Sequence, residues 1–363
     1  MKIGLVRRGY SATGGAEIYL RRFAQEAVAT GHSCVLFANG WPESAWALER
    51  VEISGTSPRD FADALAAANP RERCDFLFSL ERVWKCDGYR AGDGVHAAWL
   101  ARRAQFEPAW RPFFRRFSAK HRDLLEIERA LFSSGVAGVV IANSEWIKRE
   151  IVQHFRFQAE RVHVVYNGVP AFTPPPNARA ELRNELGLAA DDYVLLFAGS
   201  GWERKGLRFA IDAVNATTKS HPLLLVAGRG RAEKMPRSSR VRYLGPVADM
   251  ARVLAAADVF LLPTLYEPFS NACMEALAAG LPVLTTEHNG FAEIIERGVE
   301  GEVYADPTDA ALIAKGIDRW ADAARRAEVR PRLLEKAARF SIGENVRSTL
   351  AIIENSRKSA PIE

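Results

Sequence analysis

Two acidic residues eight positions apart, Glu267 and Glu275, form the pattern in this chain that most clearly suggests chemistry. An apolar, strand-like run over residues 259–263 precedes them, and a helix-like run follows and stops at Gly280. Glu267 is therefore expected in a strand-to-helix loop, and Glu275 about two turns into the helix. The free N–H groups of a helix N-terminus attract anions. Two carboxylates beside such a terminus suit a ligand with both hydroxyls and phosphates, such as a nucleotide sugar.

A basic pair, Arg204 and Lys205, lies upstream and follows another apolar strand and Gly199. When a sugar leaves a nucleotide diphosphate, negative charge develops on the departing group. Fixed cations that meet this charge stabilise the transition state more than the ground state. Arginine can contact two phosphate oxygens, whereas lysine supplies a point charge. A solvated basic loop is the ordinary alternative, but the position at the start of a helix favours anion binding.

Gly14 and Gly15 follow the first predicted strand, within residues 13–17. Residues without side chains let the backbone approach a phosphate or an acceptor closely. The run is not a P-loop, because no Gly-Lys-Ser/Thr follows it. A Gly-Gly pair is more often a turn than a site, but its place after the first strand favours a binding role here.

Taken together, residues 266–277, 199–206 and 13–17 resemble three signatures of glycosyltransferase family 4. These signatures are an E-x7-E pair, an Arg/Lys pair that grips the donor diphosphate, and a glycine loop in the N-terminal domain. The resemblance implies a GT-B fold, in which two Rossmann-like domains with doubly wound parallel sheets face a cleft and the last helix crosses back to the N-terminal domain. It also implies that a sugar moves, with retention, from a nucleotide-sugar donor to an acceptor hydroxyl, with UDP as the expected carrier.

The same resemblance suggests roles around the donor. Glu275 would accept hydrogen bonds from the two ribose hydroxyls, and Glu267 from a hydroxyl of the donor sugar. Gly199 belongs with the basic pair, and the backbone near Leu244 would contact the base. Three backbone N–H groups at the helix N-terminus would face the phosphates, those of Phe269, Ser270 and Asn271.

Asp93 and His96 stand in a glycine-rich run over residues 91–97, which suggests an exposed, shaped loop. Family members that build lipopolysaccharide core carry a similar element facing the acceptor, so both residues are candidate catalytic groups. Asp93 would orient or deprotonate the acceptor hydroxyl. An ordinary turn, in which Asp93 caps backbone amides, is equally compatible with these residues. Retaining enzymes of this kind need no protein base, because the leaving phosphate can take the proton.

We expect no metal site and no cofactor, because the chain has no Asp-x-Asp triplet and its histidines lack ligand spacing. The cysteines form no C-x-x-C pair, which favours a reducing compartment without disulfides. The N-terminus lacks the apolar region of a signal peptide, and no stretch approaches the roughly 20 apolar residues of a membrane span. These features predict a cytoplasmic protein. The four cysteines are Cys34, Cys74, Cys86 and Cys273.

A chain of 363 residues fits two domains. Strands alternate with helices in both halves, which is typical of parallel, doubly wound α/β sheets. Three prolines at 174–176 mark a boundary, because consecutive prolines continue neither a helix nor a central strand. The predicted division is an acceptor-binding domain over 1–168, a linker over 169–177, a nucleotide-sugar domain over 178–342, and a helix over 343–363 that packs on the first domain. Predicted helices in the second half lie near 205–218, 248–256, 269–279 and 291–297.

The net charge of +5 lies in the first half, because residues 1–168 carry 24 Lys/Arg against 19 Asp/Glu and residues 169–363 carry 25 of each. Residues 97–122 contain seven basic side chains, one acidic residue and interleaved aromatic residues. Such a segment is typical of a peripheral anchor on anionic membrane. A phosphorylated acceptor, or a core-facing helix with a solvated basic face, is the alternative, and no nucleic-acid motif accompanies the segment. Its aromatic residues are Trp99, Phe106, Trp110, Phe113, Phe114 and Phe117.

These patterns predict a metal-independent hexosyltransferase, with a donor such as UDP-glucose and an acceptor that is a cell-envelope glycan or glycolipid such as lipopolysaccharide core. We expect it in the cytoplasm or at the inner face of the cytoplasmic membrane. Two alternatives stay open. A UDP-sugar epimerase of the same architecture would need acid/base residues facing the sugar. A non-catalytic protein that binds nucleotide sugars or membrane is disfavoured by the intact acidic and basic pairs.

Overall fold

The computed structural model describes residues 1–10, 15–42, 48–108, 110–111, 118–133 and 136–358. The chain separates into two units, one formed by Met1–Tyr166 together with Ile342–Glu363 and the other by Asn167–Ser341. The segment predicted as a linker, residues 169–177, lies at the start of the second unit. There the N–H of Val169 donates a hydrogen bond to the carbonyl of Phe340 (2.8 Å).

The described helices and strands are given in chain order. Up to the first division they are β1 (Lys2–Arg8), α1 (Gly15–Ala29), β2 (Ser33–Asn39), β3 (Glu49–Glu52), α2 (Pro58–Ala67), β4 (Phe76–Ser79), β5 (Cys86–Arg90), α3 (His96–Ala104), α4 (Ala119–Leu131), β6 (Ala137–Ala142), α5 (Glu145–Phe155) and β7 (Val162–Val164). The remainder are α6 (Ala178–Glu185), β8 (Val194–Ala198), α7 (Trp202–Lys205), α8 (Leu207–Asn215), β9 (Leu223–Ala227), β10 (Val241–Gly245), α9 (Met250–Ala256), β11 (Val259–Leu262), α10 (Asn271–Ala278), β12 (Val283–Thr286), β13 (Gly301–Tyr304), α11 (Ala310–Arg319), α12 (Ala323–Ala338) and α13 (Ile342–Lys358).

A parallel sheet with the strand order β3-β2-β1-β4-β5-β6-β7 forms the centre of the first unit. Its inner strands are apolar on both faces, as parallel strands covered by helices must be. The strand order reverses between β1 and β4, which creates a crevice beyond their carboxyl ends.

The last helix, α13, completes the core of the first unit. Its Val346, Leu350 and Ile353 recur every three or four residues and are at most 4% exposed. They pack in one apolar cluster with Leu20 and Phe23 of α1. This packing confirms the predicted return of the C-terminal helix to the N-terminal domain.

The second unit contains a parallel sheet with the order β10-β9-β8-β11-β12-β13. Here the strand order reverses between β8 and β11. Two doubly wound parallel sheets with helices between their strands confirm the predicted α/β, Rossmann-like class of both halves.

The structure corrects two predicted helices. The helix near 205–218 is two helices, α7 and α8, because Gly206 between them has a left-handed backbone (φ 77°). The helix near 291–297 is a single 3-10 turn, Gly290–Glu293, in which the N–H of Phe291 is capped by the side chain of Asn289. The strands β3, β5 and β13 and the helices α2 and α6 were not predicted.

Candidate active site

The candidate site lies where the strand order of the second sheet reverses. β8 leads into residues 199–206, and its neighbour β11 leads into residues 263–270. The carboxyl ends of parallel strands meet at one edge of the sheet, so the two loops come together there. The structure thus joins the acidic and basic motifs, which are far apart in the chain.

Glu267 forms ion pairs with both members of the basic pair. Its Oε2 accepts a hydrogen bond from Lys205 Nζ at 2.6 Å and lies 3.1 Å from an Arg204 guanidinium nitrogen. Arg204 also donates to the carbonyl of Tyr266 (2.8 Å), and its own carbonyl accepts from the N–H of Leu265 (2.8 Å). These contacts fix the two loops to each other and hold two cations at the end of β8.

The charge of Glu267 is settled by these neighbours. The side chain is buried, and burial by itself would raise the pKa of the carboxyl. The charges and hydrogen bonds of Lys205 and Arg204 outweigh burial and hold the pKa of Glu267 at about 2. Glu267 is therefore an anion at physiological pH and serves as an acceptor, not as a proton donor.

Two glycines make this arrangement possible. Gly199 has φ 129°, and a Cβ there would lie 2.7 Å from Cε of Lys205, so the lysine runs directly over the glycine. Gly206 has φ 77°, and a Cβ there would lie 1.9 Å from the carbonyl oxygen of Pro263. The close approach of the β8 and β11 loops therefore requires glycine at position 206.

Replacing Gly206 with alanine is expected to lower the free energy of unfolding by about 3 kcal/mol or more, since overpacking of about 1–3 kcal/mol adds to left-handed strain of about 1–2 kcal/mol. Gly201→Ala is the matched control, because Gly201 has nearly the same φ, 76°, but nothing within 4 Å of its Cβ position. That control should cost only the strain. Urea unfolding of both variants measures the difference, and equal losses would contradict the packing role of Gly206.

The N-terminus of α10 is capped by a side chain, and its hydrogen bonds correct one prediction. The hydroxyl of Ser270 accepts from the N–H of Cys273 (3.2 Å), while the N–H of Ser270 donates to Asn289 Oδ1 (3.2 Å). The Ser270 N–H is therefore occupied and does not face a phosphate as predicted. Among the described residues, none accepts from the N–H groups of Asn271 and Ala272, so these groups are the open donors at the helix tip.

Glu275 lies near the middle of α10 and is half-buried. Burial raises the pKa of its carboxyl, and the charge of Lys205 opposes this rise. The carboxylate forms no hydrogen bond or ion pair with any residue in the described part of the chain. A half-buried carboxylate without a partner is costly unless a ligand supplies donors.

The structure identifies residues of the site that were not predicted from the sequence. Asn289 is buried and holds the loop after β12 against α10; it also donates to Thr285 Oγ1 (3.0 Å). Trp202 donates from its indole nitrogen to the carbonyl of Gly199 (3.1 Å). Its ring lies over Gly230, where a Cβ would come within 2.2 Å, and 5.5 Å from the ring of Tyr243. The only available signal for Asn289 was the dipeptide Asn-Gly, which predicts a turn.

Leu244 lies at an irregularity of β10. The pairing with β9 shifts register between Tyr243 and Gly245, so Leu244 has no partner in that ladder. The backbone of the strand is therefore locally irregular at Leu244.

The candidate catalytic residues Asp93 and His96 both lie in the first unit. Asp93 is exposed in a turn closed by the hydrogen bond from the Gly94 N–H to the Ala91 carbonyl (3.1 Å), and it caps no described amide. His96 opens α3, and its ring Nε2 lies 3.0 Å from Nδ1 of His121. Burial, Arg82 and His121 lower the pKa of His96 to about 3, so this imidazole is neutral at physiological pH.

The N–H of His96, at the N-terminus of α3, is capped by a side chain of α4. The buried carboxylate of Glu128 accepts from the N–H groups of His96 (2.7 Å) and Ala97 (3.0 Å) and pairs with Arg82 (3.0 Å).

Of the predicted glycine pair, Gly14 lies outside the described residues. Gly15 is the first residue of α1, so this glycine begins a helix and does not extend the loop.

At the crevice of the first sheet, Arg7 is held between two carboxylates, Glu17 (3.1 Å) and Glu81 (2.6 Å). Burial raises the pKa of Glu81, against the opposing charge of Arg7. Arg7 is thus committed to these partners and is not a free cation for an acceptor.

Within the described ranges, no group of three His, Cys, Asp or Glu side chains is arranged to hold a metal ion. In the same ranges, no helix has both the length and the apolar character needed to cross a bilayer.

In the basic aromatic segment, residues 109 and 112–117 lie outside the described residues, including Phe113, Phe114, Arg115, Arg116 and Phe117. Trp110, which is described, is 59% exposed.

Two family models match the chain, "Glycosyltransferase Family 4" over residues 13–171 and "Glycosyl transferases group 1" over residues 192–322. The lipopolysaccharide glucosyltransferase WaaG of Escherichia coli K12 is 26% identical over 319 residues, which cover 82% of this chain and 83% of the relative. The uncharacterized glycosyltransferase MJ1607 of Methanocaldococcus jannaschii is 30% identical over 195 residues, half of each chain.

Solved structures share the fold. A crystal structure of WaaG, a glycosyltransferase involved in lipopolysaccharide biosynthesis, has a TM-score of 0.81 at 23% identity and covers 97% of this chain and 99% of that one. Anabaena HepE in complex with UDP and glucose has a TM-score of 0.72 at 19% identity, with 98% and 100% covered. These matches identify the two-sheet architecture as GT-B.

Proposed function

This chain belongs to the glycosyltransferases of family 4 and group 1, and from that premise we propose that it transfers a hexosyl group from a UDP-sugar to a hydroxyl of a cell-envelope glycan, with retention and without a metal. The observation that carries the proposal is the pair of cations fixed at the end of β8. Lys205 and Arg204 stand beside the open N-terminus of α10, and Glu267 holds both.

The donor's diphosphate would meet these cations and the two open N–H groups at Asn271 and Ala272. As the bond to the sugar breaks, charge accumulates on the departing diphosphate. Cations that are already in position stabilise this charge without reorganising. Glu267 keeps them in position, and it would also accept a hydroxyl of the sugar through the oxygen that does not face Lys205.

The rest of the donor would bind along α10 and β10. Glu275 offers a carboxylate without a described partner, which suits the two hydroxyls of a ribose. The backbone of Leu244, outside the ladder, would contact the base. UDP is favoured as the carrier, because the relative of like fold, HepE, was crystallised with UDP-glucose and with UDP and glucose.

The acceptor would bind to the first unit. The relative WaaG is named as a lipopolysaccharide glucosyltransferase, and the excess positive charge of residues 1–168 suits an anionic acceptor such as lipopolysaccharide core. In this proposal Asp93 would orient the acceptor hydroxyl, because its carboxylate is exposed and accepts no hydrogen bond from a described residue. The neutral His96 would serve as a hydrogen-bonding group. The leaving phosphate would accept the proton, so no protein base is needed.

The experiment is a thermal-shift screen over UDP-, GDP- and ADP-sugars, followed by NMR of the product formed with lipopolysaccharide core. We expect one UDP-hexose to raise the melting temperature, to be hydrolysed slowly without acceptor, and to give an α-glycoside. Interconversion of the donor sugar without any acceptor would instead favour the epimerase. Donor binding without turnover of either kind would favour the non-catalytic binding protein.

We also propose that the protein works in the cytoplasm, at the inner face of the membrane, through residues 97–122. The supporting residues in the described part of this segment are the exposed Trp110, the cation of Arg111 over its ring, and the half-buried Arg102 and Arg103. Arg102 and Arg103 lie in the last turn of α3, a short amphipathic helix, and Arg103 pairs with Glu107 (2.8 Å).

The protein is expected to float with vesicles that contain anionic lipid at low salt and to be released at high salt, because each cation near such a surface contributes about 1 kcal/mol. Arg102→Glu/Arg111→Glu should abolish flotation. Charge reversal at an exposed cation of the second unit, Lys219→Glu, is the matched control and should leave it unchanged. Equal flotation with neutral vesicles would contradict the proposed contact.

A further inference from the structure

A cavity of about 490 Å³ opens in the second unit, at the end of the sheet opposite the donor site. It lies between the segment before α6, the end of α9, the end of α10 and the first turns of α12. Asp258, just before β11, and Gly280, just after α10, both line the cavity. The donor-site residues lie at the opposite ends of these elements, with Glu267 after β11 and Ser270 before α10. The proposed function uses none of its residues.

The walls of the cavity combine apolar surface with arginines. The apolar part comes from Phe172, Pro174, Leu254 and Leu281, among others. Three arginines line it, Arg179, Arg326 and Arg330, against one carboxylate, Asp258. The formal charge of the lining is therefore positive by two.

The single carboxylate is already heavily engaged. Asp258 accepts from Arg179 (2.7 Å) and from Arg183, which lies behind the wall (2.8 Å), and also from the N–H of Val194 (2.8 Å). Arg179 also donates to the carbonyls at the end of α9, including that of Ala257 (3.0 Å). Asp258 also lies 3.8 Å from a guanidinium nitrogen of Arg326, so it has little capacity left to neutralise Arg330.

Arg330 is the cation that remains. Its guanidinium packs over Gly280, where a Cβ would lie 2.9 Å from the arginine's Nη1. Among the described residues it has no hydrogen-bond or ion-pair partner. Arg330 is exposed at the protein surface, and partial burial together with the charge of Arg179 lowers its pKa. Arg326 is different, because it donates to the carbonyls of Trp320 (2.7 Å) and Ala321 (2.7 Å).

We propose that this cavity binds a small phosphorylated molecule with at least two negative charges, whose phosphate pairs with Arg330 and whose body lies on the apolar wall. The volume is in the range of small-molecule sites, about 300–1,000 Å³. A planar guanidinium without a protein partner is suited to phosphate, since it can donate two parallel hydrogen bonds. An anion would also relieve the repulsion between Arg330 and Arg179.

Because pyrophosphate would also bind to Lys205 and Arg204, the test uses the full chain with both of those residues changed to alanine. Calorimetric titration of this variant with inorganic pyrophosphate should show saturable binding at millimolar concentration or below. Adding Arg330→Ala should weaken it about tenfold or more, the loss of a charge-assisted hydrogen bond. Adding Arg330→Lys should weaken pyrophosphate binding less, because lysine keeps the positive charge but cannot donate two parallel hydrogen bonds.

The matched control adds Arg339→Ala instead, which removes an exposed arginine next to α12 that pairs with Glu335 and leaves the cavity intact. It should bind pyrophosphate as before. Absence of saturable binding, or equal loss in Arg330→Ala and Arg339→Ala, would overturn the proposal. Equally tight binding of citrate would overturn its preference for phosphate. Since the donor site is removed throughout, failure here says nothing against the proposed transferase activity.

Discussion

Replacing Lys205 with alanine should lower kcat by about 10²–10³-fold, which is the usual loss when one preorganised group that meets transition-state charge is removed. Lys205 Nζ lies 2.6 Å from Glu267, directly over Gly199, and its side chain is only 12% exposed. The ammonium is therefore in place before the donor binds, and water does not readily take over its role. Steady-state kinetics with a UDP-hexose and an acceptor glycan measure the effect.

Lys219→Ala is the matched control, because it removes an exposed lysine of the same unit. It should leave kcat unchanged. A second comparison combines Glu267→Gln with Lys205→Ala. If Glu267 acts only by positioning Lys205, the double variant should be no slower than Lys205→Ala alone, whereas a further loss would come from its contacts with Arg204 or the sugar. A Lys205→Ala enzyme with normal kcat would remove the main support for the proposed function. Since the pKa of Glu267 is held at about 2, its ionisation should not limit the rate at any pH above about 4.

Glu275→Gln should have opposite effects on donor binding and on stability. Loss of a charged acceptor facing two ribose hydroxyls should weaken the donor about 10–100-fold, at about 1.5–3 kcal/mol for such hydrogen bonds. The free protein, in contrast, should become more stable by about 1 kcal/mol, or about 2–4 °C, because a half-buried carboxylate without a described partner is neutralised. Isothermal titration with UDP and thermal unfolding without ligand measure the two quantities.

The pH dependence of the stability gain follows from the direction of the pKa shift. Burial raises the pKa of Glu275 in the folded state, so ionisation destabilises the fold once the pH exceeds the ordinary carboxyl range of about 4.3. The gain of Glu275→Gln should therefore be present at neutral pH and vanish near pH 4. Glu335→Gln, at a 70% exposed side chain, is the control and should change neither quantity. A destabilised Glu275→Gln protein would show that the carboxylate has a structural partner.

Much of the architecture was predictable because parallel strands buried on both faces are apolar runs, and these are visible in residues such as Val194–Ala198 and Leu223–Ala227. The strand Glu49–Glu52 was not predictable from such a pattern, because it lies at the edge of the sheet and has the polar sequence Glu-Arg-Val-Glu. The break at Gly206 was also invisible, since the apolar pattern of a helix continues on both sides of the glycine.

The candidate site was predicted by residue type but not by geometry. Each charged residue was assigned to a ligand, whereas the structure pairs Glu267 with Lys205 and Arg204 in the free protein. That pairing depends on which strands are neighbours in the sheet, and local sequence patterns do not specify strand order. For the same reason the role of Asn289 could not be foreseen, because it acts on Ser270, which is 19 positions away in the chain.

The membership of α13 in the first unit has a consequence for biosynthesis. Val346, Leu350 and Ile353 are synthesised long after Leu20 and Phe23, yet they fill part of the core around these two residues. The core of the first unit therefore stays incomplete, with that apolar surface exposed, until the whole of Asn167–Ser341 has been translated. Nascent chains halted before residue 342 should accordingly depend on chaperones for the half that was synthesised earliest, while the later half folds by itself.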